Sequence, residues 1–311
     1  MTTAVVFAYH DVGVRGLLTL IDQGVEVRLV VTHHDDPTEN PWFASVAETA
    51  RVHGLPVATP SRRELPALAG RIRDTAPDLL FSFYYRYLLP PEVLPVPRYG
   101  AYNIHGSLLP RYRGRAPVNW AVLNGERETG ASLHVMTAAP DAGDLVDQMA
   151  VPILLDDTAS DVMRKVACAA EIVLYRNLPA LREGRAPRRP LNLAEGSYFG
   201  RRRPEDGRID WRQPARRIHD LVRAVAPPYP GAFSDLPVGR LEVHRTRVDP
   251  APARHPAPSL YVEDDRLYAD CGDASRLEVV QCALAGKPYD PREHRSRWGT
   301  RALPLVGDAS A

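Results

Sequence analysis

Four short apolar segments, AVVFAY (4–9), VEVRLVVTH (25–33), DLLFSF (78–83) and GAYNIH (100–105), are rich in valine and aromatic residues. Runs of this kind belong to strands buried on both faces. Between them lie stretches of helical periodicity, VRGLLTLIDQG, FASVAETARVHG and ELPALAGRIRDT, with Gly24 and Gly54 placed as C-terminal stops. Strands alternating with helices dictate a parallel sheet with right-handed crossovers, and hence a doubly wound α/β domain. Ligands of such sheets lie beyond the carboxyl ends of the strands. GAYNIH ends there, and the loop that follows, GSLLPRYRGRAP, is rich in Pro, Gly and Arg.

Further along, the pattern predicts a helix (APVNWAVLNG), two strands (ASLHVMT and LVDQMAVPI) and a long helix over 158–183, with N-cap candidates between Asp156 and Ser160. That completes a first domain over 1–190. The segment REGRAPRRPLNLAEGSYFGRRRPEDG is heavy in Pro, Arg and Gly and follows neither period, the signature of a linker, placed over 191–207. The alternating segments RLEVHRTRV, SLYVED, RLYADC and RLEVVQCAL predict a smaller all-β, barrel-like (OB-like) module over 208–304, followed by a frayed tail over 305–311.

Lys+Arg of 39 against Asp+Glu of 38 leave a net charge of +1, so no overall positive field draws the chain to nucleic acid or to an anionic membrane. Cys168, Cys271 and Cys282 are widely spaced and odd in number, which argues against a disulfide framework or a thiolate zinc site. No run of about 18 apolar residues occurs. A cytoplasmic protein is expected.

Asn103 and His105 are two apart at a strand end and share one side of it. An imidazole with a pKa of about 6.5 can take and return protons at neutral pH. An amide can donate to an oxygen as it gains charge, an interaction worth about 3 kcal/mol in a transition state. Together they suit addition to a carbonyl by a nucleophile that sheds a proton. A carboxylate would hold the imidazole and raise its pKa, and Asp141 and Asp144 in TAAPDAGDLVDQ are both candidates. With no Ser or Cys where a covalent nucleophile would stand, direct attack by a substrate amine is favoured.

Other polar groups are weaker signals. HHDD at 33–36 alternates along an extended segment, so its members diverge and no metal is expected. Tyr84, Tyr85 and Tyr87 form either a stacking platform or a core filling. Tyr9, His10 and Asp11 follow the first strand without the glycines that cradle phosphate, leaving Tyr9 as a candidate sugar or diphosphate contact. Arg201, Arg202 and Arg203 could grip a diphosphate or be a solvated linker, and His134 reads as a structural strand residue.

NIHGSLLPRYRGRAPVNW with a downstream DAGD resembles the signature of the folate-dependent formyltransferases. VVFAYHD, FSFYYRYLL, FGRRRPEDG, RAVAPPYPGAF and DCGD extend the resemblance along nearly the whole chain. They are most similar to the branch that formylates UDP-4-amino-4-deoxy-L-arabinose from 10-formyltetrahydrofolate, in lipid A modification and polymyxin resistance. The resemblance implies a Rossmann-like catalytic domain with a small barrel-like domain, and no metal. It makes Asn103 the oxyanion-stabilising amide, His105 the proton-transfer residue and Asp141 the carboxylate that tunes it. It puts folate contacts on Tyr87, Leu88, Leu89 and Arg115, and on Thr137, Ala138, Ala139, Pro140 and Asp141. In that branch a dehydrogenase/decarboxylase domain follows; this chain has no GxGxxG, so a separate enzyme is expected to supply that step. Methionyl-tRNA formylation, which the same fold serves, and a non-catalytic folate or sugar-nucleotide binding subunit are the competing readings.

Overall fold

The structure is a computed structural model that describes residues 1–34 and 42–305. Two compact units divide the chain: Met1–Pro117, Glu128–Pro152 and Met163–Gly200 form the first, and Val118–Arg127, Ile153–Val162 and Arg201–Ala311 the second.

In the first unit the apolar runs become β1 (Thr3–Ala8), β2 (Glu26–Val31), β4 (Leu79–Phe83) and β5 (Ala101–His105), with a two-residue β3 (Val57–Ala58) at the edge. Every residue of β1 and β4 is buried, which is why they read as unbroken apolar runs. Helices α1 (His10–Asp22), α2 (Val46–Val52) and α3 (Leu68–Thr75) lie between the strands in sequence, and Gly24 and Gly54 take the left-handed conformation expected of helix stops. After β5 come β6 (Arg113–Gly114), β7 (Glu128–Val135) and β8 (Leu145–Pro152). The sheet order is β3-β2-β1-β4-β5-β7-β8. Its first five strands are parallel, and β7 pairs antiparallel with both β5 and β8, giving a mostly parallel Rossmann-like sheet whose winding direction reverses between β1 and β4.

Both faces of this sheet are covered. Ala69 and Ile72 of α3, with Leu65, pack on Val5, Phe7, Leu29, Val31, Leu80 and Ala101. On the other face α1 lies so near the sheet that a Cβ at Gly16 would stand 2.6 Å from the Phe83 ring, so any side chain there would lift the helix. Within residues 191–207, Tyr198–Phe199 forms β9, paired in parallel with β6. The long helix, α5 (Ala159–Arg182), starts where a cap was expected: Asp161 N–H donates to Thr158 Oγ1 at 3.2 Å while Thr158 N–H donates to Asp161 Oδ2 at 2.9 Å.

The second unit contains most of α4 (Pro117–Leu123), then α6 (Ala215–Val225) and α7 (Pro291–Trp298). Its strands are β10 (Ala232–Leu236), β11 (Gly239–Pro252), β12 (Ser259–Glu263), β13 (Arg266–Asp270), β14 (Ser275–Leu284), β15 (Lys287–Tyr289) and β16 (Leu303–Pro304). They form an antiparallel sheet, β10-β11-β14-β13-β12-β16, with β15 on β14. Register shifts along β11, at Val243/Arg245 and Asp249/Pro252, are bulges that bend a long strand and curl the sheet into a barrel-like form. α6 buries an ion pair, Arg223 to Asp220 at 2.8 Å, and Arg223 also donates to the Asp157 carbonyl at 3.3 Å. His219 Nε2 meets the Leu155 carbonyl at 3.0 Å and Asn119 Nδ2 the Ala224 carbonyl at 2.8 Å. These buried polar contacts tie residues 118–127 and 153–162 into the unit.

Of the expected tail only Leu305 is described; it is buried, with its N–H on the Pro258 carbonyl at 3.0 Å. Among the described residues no helix is long and apolar enough to cross a membrane.

Candidate active site

β5 points Ala101, Asn103 and His105 to the face that α3 covers. The loop that follows folds back on itself. Ser107 Oγ donates to the Arg111 carbonyl at 2.7 Å, Ser132 Oγ to the Ser107 carbonyl at 2.6 Å and Gln148 Nε2 to the Leu109 carbonyl at 2.8 Å. Tyr112 N–H donates to Ser197 Oγ at 2.8 Å. The result brings the Tyr112 carbonyl to His105 Nε2 at 2.7 Å. A carbonyl only accepts, so Nε2 carries the proton and Nδ1 is the open nitrogen of the neutral ring.

That nitrogen faces Asp141, whose Oδ1 lies 3.4 Å away. Asp141 stands in the turn between β7 and β8 with a left-handed backbone, φ +51°, and its Oδ2 accepts the Gly114 N–H at 2.9 Å. Asp144 contributes its backbone instead, accepting from Val135 N–H at 2.8 Å. A Cβ at Gly143 would stand 2.0 Å from the Val135 carbonyl oxygen, so the turn closes only on glycine. Of the two candidate carboxylates, Asp141 is the one brought to His105.

His134, read from sequence as structural, belongs to the cluster. In the β5–β7 register it lies directly opposite Asn103. Its Nδ1 donates to the Val135 carbonyl at 2.9 Å, so its Nε2 accepts from Asn103 Nδ2 at 3.0 Å. One amide hydrogen of Asn103 is thereby fixed, and the other is aimed elsewhere. Asp141 Oδ1 is 3.6 Å from the same His134 nitrogen.

Burial pulls the His105 pKa below its ordinary value; Asp141 and the Tyr112 carbonyl oppose it, and His134 adds to it. The expectation that the carboxylate would raise this pKa counted its attraction and left out the burial, which wins. Burial also works to raise the Asp141 pKa, but facing His105, the His134 ring and the Gly114 N–H outweigh it and hold the carboxyl well below the usual range. The resting cluster is a carboxylate beside a neutral imidazole.

A family model for formyl transferase matches residues 16–178, more than half of the chain, and one for the formyl transferase C-terminal domain matches residues 202–294. The chain belongs to the formyltransferase family. An N-formyltransferase from Helicobacter canadensis, solved with folinic acid and dTDP-3-aminofucose, shares its fold at a TM-score of 0.71 and 18% identity, covering 93% of this chain and 100% of that one. WlaRD, a sugar 3N-formyltransferase solved with dTDP and 5-N-formyl-THF, aligns at 0.71 with 17% identity over 92% and 99% of the two chains. A 4-N formyltransferase from Francisella tularensis aligns at 0.62 with 20% identity over 76% and 93%.

The remaining candidate residues of this formyltransferase are distributed as follows. Tyr87 is half-buried against the core under α3 with Tyr85 and Met136, Leu89 is buried beside it, and Leu88 is 71% exposed. Arg115 is exposed, its Nη2 3.4 Å from the Arg86 carbonyl, and Thr137, Ala138 and Ala139 form an exposed loop leading through Pro140 to Asp141. Tyr9 is buried, with its ring packed on His33 and Phe43 and the Arg86 guanidinium 4.6 Å over it. Arg201 and Arg202 belong to the second unit, where the Arg202 guanidinium lies 4.9 Å over the Trp120 ring and donates to the Asp206 carbonyl at 3.0 Å.

Of the HHDD run, Asp35 and Asp36 lie outside the described residues; His34 Nε2 meets Thr59 Oγ1 at 2.8 Å, and His33 Nε2 accepts the Arg86 N–H at 3.0 Å. Burial, aided by the Arg86 charge, lowers the His33 pKa from 6.5 to about 4. A pKa lowered on folding gives stability that is complete above the unfolded value and is lost as pH falls through the folded one. His33→Gln keeps an acceptor for Arg86 but cannot titrate. Between pH 6.5 and pH 4 the variant should lose less unfolding free energy than the wild type, by about 2 kcal/mol after allowance for solvent screening. Parallel urea-denaturation curves for the two proteins across that range would refute this.

Proposed function

We propose that the chain transfers the formyl group of 10-formyltetrahydrofolate to the amine of a nucleotide-linked amino sugar, with UDP-4-amino-4-deoxy-L-arabinose as the specific acceptor. The observation that carries the reading is the meeting of the Asn103 amide, the His105 imidazole and the Asp141 carboxylate at the carboxyl edge of the sheet. Relatives in fold, one solved with dTDP-3-aminofucose and one described as a sugar 3N-formyltransferase, support the acceptor class. The resemblance of VVFAYHD and FSFYYRYLL supports the particular sugar, and with it a place in lipid A modification and polymyxin resistance. A dehydrogenase/decarboxylase activity would then prepare the sugar.

The residues present fit a folate. Tyr87 and the exposed Leu88 offer apolar surface to a flat ring, with buried Leu89 in the core against which Tyr87 packs, and the exposed loop over Thr137–Ala139 that leads to Asp141 offers hydrogen-bonding groups to its edge. Arg115 completes the set. Bound there, 10-formyltetrahydrofolate would supply the formyl carbon. The second Asn103 N–H donates to the carbonyl oxygen as it gains charge, with the His134 contact fixing its direction. His105 would take the proton of the attacking amine at Nδ1 as the new C–N bond forms, giving an imidazolium between the Tyr112 carbonyl and the Asp141 carboxylate, and would return it to N10 as the C–N10 bond breaks and tetrahydrofolate leaves.

Incubation of the purified protein with 10-formyltetrahydrofolate and UDP-4-amino-4-deoxy-L-arabinose should yield a sugar nucleotide heavier by one formyl group in mass spectrometry. Transfer to a 3-amino sugar nucleotide alone would refute the particular sugar. Transfer to charged initiator tRNA alone, or folate binding with no transfer, would refute the class.

A further inference from the structure

The carboxyl edge of the first unit's sheet has a second flank, away from Tyr87 and Leu89. The sheet order reverses between β1 and β4, and loops that part at such a reversal leave a crevice between them. His10 and Tyr84 follow those two strands closely, and both have left-handed backbones, φ +66° and +57°. Residues with side chains disfavour this conformation, and it is kept where a site needs the direction it gives. Were β4 to continue as a strand, Tyr84 would point with Ser82 toward the α3 face. Its left-handed turn sends it to the α1 side instead, where its ring lies 6.1 Å from that of His10. Tyr85 goes the opposite way, 5.2 Å from Phe7 in the core under α3.

Tyr84 is also pressed against the reacting strand. A Cβ at Gly106, the residue after His105, would stand 1.7 Å from the Tyr84 hydroxyl oxygen. Behind Tyr84 the His10 ring is held by Trp42 at 4.7 Å and Phe43 at 4.4 Å, and the Ala44 N–H donates to Asp11 Oδ1 at 2.9 Å. An aromatic ring braced in this way is a rigid platform next to the groups that would activate the formyl carbon.

We propose that Tyr84 is the specificity-determining wall of the acceptor subsite, its ring face carrying the C–H face of the sugar whose amine is formylated. The inference rests on the amino-sugar reading above. A nitrogen borne directly on a sugar ring can reach a carbon beside His105 only if the ring itself lies within a few ångströms, which is where Tyr84 stands. The residues that would hold the folate gather on the α3 side, leaving this flank for the amine. A flat, stiff side chain binds an apolar sugar face with little ordering cost. Gly106 is what admits Tyr84, so any side chain at 106 should evict it.

The test is steady-state kinetics with 10-formyltetrahydrofolate and UDP-4-amino-4-deoxy-L-arabinose on Tyr84→Ala, Tyr84→Phe, Gly106→Ala and the Tyr84→Ala/Gly106→Ala double variant. Binding of 5-formyltetrahydrofolate serves as the check on folding. Tyr84→Ala should raise KM for the sugar nucleotide about tenfold or more while KM for the folate moves less than about twofold, as for loss of one anchoring ring. Tyr84→Phe, which keeps the ring, should restore most of that loss. Gly106→Ala should reproduce the rise in the wild-type background and add nothing to Tyr84→Ala, because the two act through one contact. A sugar-nucleotide KM unchanged in Tyr84→Ala, or a matching rise in the folate KM, overturns the assignment while leaving the amino-sugar reading intact. Should Tyr84→Ala misfold, the comparison of Gly106→Ala with wild type decides alone. Wild-type protein that formylates no amino sugar sinks the parent reading and this one with it.

Discussion

Replacing His105 with alanine should lower kcat by about two to four orders of magnitude, the span that a positioned proton-transfer group supplies, while KM for both substrates stays within about threefold. The geometry explains why the loss falls on kcat. His105 is buried, and its Nε2 is committed to the Tyr112 carbonyl at 2.7 Å, so Nδ1 is the nitrogen that would exchange a proton with the proposed substrate. Burial keeps that nitrogen unprotonated in the resting protein, ready to accept. In the proposed reaction its interaction with an incoming amine would grow as the amine gives up a proton, so it would be made chiefly in the transition state and hardly in the ground state. The alanine variant also leaves the Tyr112 carbonyl without this donor, a cost of about 1–3 kcal/mol in stability, small enough for the thermal transition to remain cooperative. A folded variant that turns over at near the wild-type rate would remove His105 from the chemistry.

How far the sequence reveals this arrangement depends on which physical term is local. β1, β4 and β5 are readable within a residue or two because burial on both faces leaves unbroken apolar runs, as in TAVVFA and LLFSF. The shared side of Asn103 and His105 follows from strand alternation alone. The choice between Asp141 and Asp144 does not, because side chains in a turn have no fixed period; what separates them is the left-handed φ of Asp141 and the use of the Asp144 carbonyl to close the hairpin. His134 was invisible as a site residue for a related reason. Its place opposite Asn103 is a matter of register between strands 31 positions apart, which no local pattern encodes. The direction of the His105 pKa depends on depth of burial, and that is a property of the packed sheet. Tyr84 and Tyr85 are the sharpest case: one backbone angle sends two adjacent tyrosines to opposite flanks.

Asp141→Asn isolates the charge of the carboxylate from its geometry. The asparagine keeps an oxygen to accept the Gly114 N–H, now at 2.9 Å from Asp141 Oδ2, so the turn should hold its shape. Lost is the negative charge 3.4 Å from His105 Nδ1. The imidazolium formed when His105 takes the proton would then face an uncharged amide in a buried site, where the Tyr112 carbonyl alone stabilises it. A general acid–base group contributes about 10²- to 10⁴-fold to kcat, and loss of the charge that stabilises its protonated form should forfeit a large part of that. The His105 pKa should drop further still, since Asp141 is the foremost group opposing burial. Proton uptake by the ring, followed by NMR, should therefore move to lower pH in Asp141→Asn, whereas a merely structural role for the carboxylate would leave it unmoved. Because the charge acts through the imidazole, its removal should cost almost nothing once the imidazole is gone: His105→Ala/Asp141→Asn should turn over no more slowly than His105→Ala. Multiplicative losses in the double variant would mean that Asp141 meets the substrate directly, and that the two residues are separate catalysts.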